Sequence, residues 1–102
     1  MTRVPAPSGW MIGVLLELED EPKPLRHFYA VAQPDQARAE WAAADRALLA
    51  GIIASSPYSG MEPVEALGEL SSHALGLLGL RPGQLKEFGR KAPRRFLPTR
   101  SQ

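Results

Sequence analysis

The sequence has 102 residues, which is enough for one domain and too few for two ordinary ones. Its apolar fraction of 44% and charged fraction of 23% are typical of a globular protein. The absence of cysteine excludes disulfides, thiolate metal sites and thiol nucleophiles. No apolar segment has the length of a membrane span, and we expect no export signal and therefore a cytoplasmic protein without a membrane partner.

The charge is distributed unevenly along the chain. Residues 1–89 contain 7 basic and 11 acidic residues, whereas residues 90–102 contain 5 basic residues and no acidic one. The formal net charge of +1 therefore combines an acidic body with a basic tail. Together with the prolines near both ends, this pattern predicts a flexible arm over residues 1–8, a single domain over 9–89 and an irregular basic tail over 90–102.

Two segments of alternating apolar residues predict a β-hairpin near the start of the chain. Every second residue from Trp10 to Leu18 is apolar, and a second alternation runs from Leu25 to Val31. Residues 20–24, which lie between the two segments, contain two prolines that lack a backbone N–H and cannot continue a strand. We therefore expect two antiparallel strands joined by this turn.

A helix is predicted to follow the hairpin and to begin near Pro34 and Asp35. Proline suits the first helical turn, where a backbone N–H has no partner, and an acidic residue suits the positive end of the helix dipole. Gly51 is expected to end the helix. An apolar row at spacings of four, three and four residues predicts the side that packs on the sheet: Ala37, Trp41, Ala44 and Leu48.

Residues 63–80 have two interpretations. In the first, the whole segment is one helix. In the second, residues 64–70 form a third strand and Ser71 caps a short helix. Gly68 and Ser71 favour the second interpretation, because glycine weakens a helix interior and serine is a preferred N-cap.

The second interpretation gives an α+β fold class with the order ββαβα. A right-handed crossover through the first helix places the third strand beside the first and parallel to the second. The expected fold is a small domain with a three-stranded, mainly antiparallel sheet and helices on one face, and Pro82 begins a last helical turn that runs to Phe88. The expected core consists of Ile12, Val14, Leu16, Tyr29, Val31, Trp41, Leu48, Leu67 and Leu75.

The titratable and nucleophilic side chains form no pattern of known chemistry. His27 and His73 lack the convergent spacing of a metal site, and the acidic residues in 17–21 lack the regular spacing of a calcium loop. The serines lie in turn and cap positions without an accompanying base and orienting acid. We therefore expect no enzyme activity, no catalytic residue, no metal site and no cofactor.

Two segments resemble those of a group of small uncharacterised bacterial proteins. In that group a strand of the type Phe-Tyr-Ala-Val-Ala, here residues 28–32, leads into an alanine-rich helix. A Gly-Leu-Arg-Pro-Gly segment, here residues 79–83, follows a strand similar to residues 64–70. The resemblance implies the strand interpretation of residues 64–70, and it implies no activity, cofactor or functional residue.

The expected sheet has a second face that no helix covers. Because soluble monomers seldom expose a large apolar patch, we expect this face to contact a partner. The sequence therefore predicts a non-catalytic protein-interaction module of an unspecified process, which forms a homodimer or binds another protein. The candidate interaction residues on this face are Met11, Leu15, Phe28 and Ala30.

The alternative function is a small nucleic-acid-binding regulator that uses residues 74–95. Apolar residues between Ala74 and Phe88 have roughly the spacing of a helix-turn-helix, whose second helix reads base edges in the major groove. The acidic body opposes this function, because it repels nucleic acid everywhere except near the tail. The candidate phosphate-binding patch consists of Arg81, Lys86, Arg90, Lys91, Arg94 and Arg95.

Overall fold

The computed structural model describes residues 7–96, which form five strands, two helices and a short 3-10 turn. The strands are β1 (Gly9–Glu17), β2 (Leu25–Val31), β3 (Ile52–Ile53), β4 (Val64–Leu70) and β5 (Leu85–Gly89). The helices are α1 (Gln36–Ala47) and α2 (Ser72–Leu77), and the 3-10 turn is Arg94–Phe96. The predicted α+β class is confirmed. None of the helices in residues 7–96 has the length and apolar character needed to cross a membrane.

β1 is the central strand of the sheet. It pairs with β2 on one edge, and on its other edge it pairs first with β4 and then with β3. β5 pairs with the outer edge of β2, and every one of these pairings is antiparallel. The predicted hairpin is therefore present. β4 lies beside β1 and runs parallel to β2, which is the position and direction predicted for the third strand.

The prediction of three strands is wrong, because two short strands extend the sheet at its edges. β5 occupies residues that were expected to form a last helical turn from Pro82 to Phe88. Gly83 has a φ of +85°, a left-handed conformation that glycine adopts without strain and that turns the chain back along β2. The Gly83 N–H donates to the Ala32 carbonyl at 2.7 Å, and the Ala32 N–H donates to the Gln84 carbonyl at 2.8 Å. These bonds hold β5 on the free edge of β2.

α1 packs on the first face of the sheet through a row of alanines. Ala39, Ala43 and Ala47 recur every four residues and are fully buried. Because their side chains are small, the helix backbone lies close to the strands. The sheet residues that form the core with them are Ile12, Val14, Leu16, Tyr29 and Val31.

Trp41 and Leu48 were predicted to lie in this core, and that prediction is wrong. The exposed fractions of these two residues are 73% and 59%. The alanine row lies on the opposite side of the helix and makes the close contact with the sheet, which the bulk of a tryptophan would prevent. The apolar row predicted from the spacing therefore faces outward.

α2 lies over the second face of the sheet. The Ser71 hydroxyl accepts a hydrogen bond from the Ala74 N–H at 3.0 Å, so the interpretation of residues 63–80 as a strand and a capped helix is confirmed. The predicted placement of the helices on one face is wrong, because α1 and α2 cover opposite faces. Leu67 is only partly buried, whereas Leu75 of α2 belongs to a buried cluster with Met11, Ala30, Ala32 and Leu70.

Candidate functional site

The sheet face predicted to bind a partner is covered by the chain itself. Met11, Leu15 and Ala30 have no exposed surface, and Phe28 is partly buried. The expectation of a bare face is wrong, because residues 70–80 pack over the part of it that contains Met11, Phe28 and Ala30. The side chains from this segment that pack in the same cluster are Leu70, Ala74, Leu75, Leu78 and Leu80.

An ion pair covers another part of the same face. The guanidinium of Arg26 on β2 bonds to the carboxylate of Glu65 on β4 and so bridges over the central strand. A β-carbon at Gly13 would lie 3.0 Å from Cδ of Arg26 and 3.2 Å from Cδ1 of Leu67. The stem of the arginine therefore lies directly on Gly13, and little of this face is open to a partner.

The four most exposed large apolar side chains of residues 7–96 lie on the outer side of α1 and just after it. Trp41 and Leu48 belong to the apolar row described above, and Leu49 and Ile52 follow with exposed fractions of 81% and 68%. Residues three and four apart on a helix share one side, so Trp41, Ala44 and Leu48 form a continuous surface. We call Ala37, Trp41, Ala44 and Leu48 the α1 row.

A hollow of about 330 Å³ lies beside the α1 row, between α1 and β4. Ala44 contributes only a methyl group to its lining, while Glu40 and Asp45 add carboxylates. The remaining lining residues are Trp41 and Val64. An apolar side chain from a partner would contact the Trp41 ring and Val64 in this hollow.

Two opposite charges flank Trp41 on α1. Arg38 and Asp45 are both exposed, and neither side chain forms an ion pair within residues 7–96. Arg46, by contrast, is bound to Glu87 of β5 through an N–O contact of 2.7 Å. Arg38 and Asp45 are therefore available to groups outside the described part of the chain.

The helix-turn-helix predicted for residues 74–88 is absent. Residues 85–89 are the extended strand β5, whose side chains alternate between the two faces of the sheet and do not project from one side as a recognition helix requires. The six basic candidates are all exposed, in the turn before β5, on β5 and after it. They are Arg81, Lys86, Arg90, Lys91, Arg94 and Arg95, of which Arg90 lies 3.8 Å from Glu21 and Arg95 lies 5.0 Å from the centre of the Phe96 ring.

His27 and Tyr29 lie on β2 on the same face as α1. Burial lowers the pKa of His27, the charge of Arg90 lowers it further, and Glu87 partly opposes both effects. Burial also raises the pKa of Tyr29, and the charge of Glu87 adds to that increase. In residues 7–96, no three His, Asp or Glu side chains converge as metal ligands would. Because the folded protein changes the pKa values of His27 and Tyr29, the free energy of unfolding depends on pH where these groups gain or lose a proton.

We expect the protein to lose stability as the pH falls below about 6.5, the pKa of His27 in the unfolded chain. The unfolded state then takes up a proton that folded His27 binds less strongly, so protonation favours unfolding until the pH passes the lowered folded pKa. Urea unfolding at pH 7.5 and at about pH 5.5 should show a smaller pH effect in His27→Gln than in the wild type. His73→Gln, which changes an exposed histidine, is the control, and an unchanged pH effect in His27→Gln would contradict the assignment.

Comparisons with known proteins identify no relative. No family model matches the chain, and no curated protein or solved structure is significantly similar to it.

Proposed function

We propose that the protein is a non-catalytic interaction module that associates with a second copy of itself through the outer side of α1. The observation that supports this function is the α1 row, in which Trp41 and Leu48 are exposed, and the chain just after the helix adds the exposed side chains of Leu49 and Ile52. Soluble monomers seldom keep an apolar patch of this kind in water. Burial of apolar surface contributes about 25 cal/mol per Å² before the costs of association. Tryptophan is also enriched among the residues that contribute most to protein–protein binding.

The way α1 is held supports the proposal. The buried alanine row fixes the inner side of the helix on the sheet, and the carboxylate of Asp35 caps its start by accepting a hydrogen bond from the Arg38 N–H at 2.9 Å. The outer side is therefore presented by a helix that is already ordered. A partner that binds it does not have to order the backbone, which lowers the cost of association.

The proposal keeps the function predicted from the sequence but moves the surface. Met11, Leu15 and Ala30 are buried inside the chain and are unavailable to a partner. The α1 row contains Trp41 and Leu48, which are exposed and therefore accessible to a partner. Its spacing was recognised in the sequence, although it was assigned to the core.

A change of Trp41 to glutamate is expected to abolish self-association. The charge would sit at the centre of the apolar surface, where a partner would have to bury it. Light scattering should give twice the chain mass for the wild type at high concentration and the mass of one chain for Trp41→Glu. Leu77→Glu is the matched control, because Leu77 is also an exposed apolar residue at a helical position but lies on α2, away from the α1 row.

A wild type that stays at the mass of one chain up to the limit of its solubility would contradict the proposal. A Trp41→Glu variant that associates as strongly as the wild type would contradict it equally. If Leu77→Glu also dissociated the protein, the apolar surface of α2 would have to be part of the interface.

Nucleic-acid binding by the basic candidates is the second candidate function, because all six of these side chains are exposed close to the end of the described chain. It predicts an association that depends on phosphate contacts and weakens steeply as the salt concentration rises. The same light-scattering experiment separates the two functions. A dimer that is indifferent to salt and to duplex DNA supports self-association. A single chain that gains mass only with DNA at low salt supports the second candidate.

A further inference from the structure

We infer that the second copy docks on α1 in the antiparallel direction, across a twofold axis that passes beside Trp41. This inference rests on the proposed function and specifies the partner's orientation and contacts. It is based on the positions of Arg38 and Asp45, which form no ion pair within residues 7–96, relative to Trp41 on the same helix.

The three residues have a spacing that fits a twofold axis. An α-helix turns by about 100° and rises by about 1.5 Å per residue, so residues seven apart lie on the same side, about 10 Å from each other along the axis. Arg38 and Asp45 are such a pair, and both border the same flank of the surface formed by Trp41. The midpoint between them along the helix falls next to Trp41.

An antiparallel second copy makes the charges complementary. Rotation about the midpoint reverses the order of residues, so Asp45 of the second copy lies opposite Arg38, and Arg38 of the second copy lies opposite Asp45. A twofold interface therefore forms each ion pair twice. In a parallel copy related by a twofold axis along the helices, the flank that carries these charges would lie on opposite sides of the interface, so neither Arg38 nor Asp45 would meet an opposite charge. The charge pattern thus selects the antiparallel orientation.

The same register also matches apolar groups. Trp41 lies beside Trp41 of the second copy. Leu49 of one copy lies opposite Pro34 of the other, and Leu49 and Pro34 are both exposed in the single chain. Ala37 and Ala44, which flank the ring, are small enough for helices to approach to about 8–10 Å. The hollow beside Ala44 provides space for the apposed ring.

The size of this surface indicates a reversible dimer. A stable interface buries about 800 Å² on each partner, whereas a single aromatic side chain buries about 150–250 Å². α1 has 12 residues and is therefore about 18 Å long, so Trp41 accounts for a large part of what it can bury. Measurements over a range of protein concentration are consequently required to observe the association.

The orientation is tested by reversing the two charges. Arg38→Glu and Asp45→Arg should each weaken association about tenfold, because each leaves two like-charged contacts per dimer. The double variant should recover the wild-type dissociation constant in analytical ultracentrifugation. Neither single change destabilises the helix, because glutamate at position 38 lies in its first turn and arginine at position 45 lies in its last turn, where these charges are favourable. A loss of association therefore reports on the interface and not on unfolding. Lys23→Glu, at an exposed basic residue in the turn between β1 and β2 that belongs to neither candidate surface, is the control and should leave the dissociation constant unchanged.

Crosslinking gives an independent test, because the sequence has no cysteine and introduced thiols are unique. The Arg38→Cys variant is mixed with an Asp45→Cys variant that carries a mass tag, and a short bismaleimide is added. The crosslinked product that contains one chain of each variant should form more efficiently than the product that either variant forms with itself. If the wild type forms a dimer, but the double charge variant does not recover its dissociation constant and the crosslinked product does not form, the antiparallel arrangement is wrong. The proposed function would still stand. A wild type that never exceeds the mass of one chain overturns both.

Discussion

Replacement of Gly9 by alanine is expected to lower the free energy of unfolding by about 3 kcal/mol. Gly9 is the first residue of β1, and a β-carbon there would overlap the carbonyl oxygen of Val31 and lie 3.1 Å from Cδ2 of Leu75. This oxygen belongs to the backbone of β2. Its position is fixed because Val31 pairs with Trp10 of β1 in the sheet. The clash can be relieved only by moving the strands apart, which disturbs the packing of α2 through Leu75.

Gly76→Ala is the matched control for this change. A β-carbon at Gly76 would meet nothing within 4 Å, and Gly76 lies inside α2, where alanine is favoured over glycine by about 0.5–1 kcal/mol. Urea unfolding should therefore give a lower midpoint for Gly9→Ala and an equal or higher midpoint for Gly76→Ala. Equal midpoints for Gly9→Ala and the wild type would show that β1 and β2 can separate at this point without cost.

A change of Ala43 to leucine is expected to destabilise the protein by about 1–3 kcal/mol. Ala43 is the central residue of the alanine row and is fully buried between α1 and the sheet. The added carbons have no space unless α1 moves away from the strands, and interiors packed to normal density do not absorb such a volume. The same displacement would move Trp41 relative to β4 and so alter the hollow beside it.

Ala37→Leu is the control for the change at Ala43, because Ala37 is an exposed alanine of the same helix. Alanine and leucine have similar helix propensities, so the substitution itself has little effect on the helix. The midpoints of urea unfolding should be compared at low protein concentration, where self-association does not contribute to stability. A similar loss of stability in both variants would mean that α1 does not pack on the sheet through its alanines.

The parts of the fold that depend on local signals were predictable from the sequence. The alternation in residues 10–18 and 25–31 predicts β1 and β2, and the prolines between them predict the turn. Ser71 has a local role as the N-cap of α2, and together with Gly68 it favoured β4 and a short α2 over one long helix.

The two edge strands were not predictable because they depend on distant partners. β3 has only two residues and is defined by its pairing with Leu16 and Glu17. β5 begins after a proline and a glycine, which resemble a helix start by composition, yet it is held by the free edge of β2. A sequence read segment by segment does not reveal that this edge is open.

The candidate surface was recognised in part. The spacing of Trp41, Ala44 and Leu48 predicts one side of a helix but does not say which side faces the sheet. Hydrophobicity favours the side with Trp41, whereas the close approach of helix and sheet favours the side with alanines, and the second effect decides the packing. The opposite charges of Arg38 and Asp45, seven residues apart, were visible in the sequence and mark the outer side once the orientation is known.

The position of β1 at the centre of the sheet has a consequence for synthesis on the ribosome. β1 is made first, yet its partner β4 follows about 50 residues later, which corresponds to several seconds at about 5–20 residues per second. During that interval one edge of the apolar strand is unpaired, and such edges are templates for aggregation. β2 and α1 are made in the meantime, so the nascent chain can pair one edge of β1 and cover one of its faces before the other edge is closed.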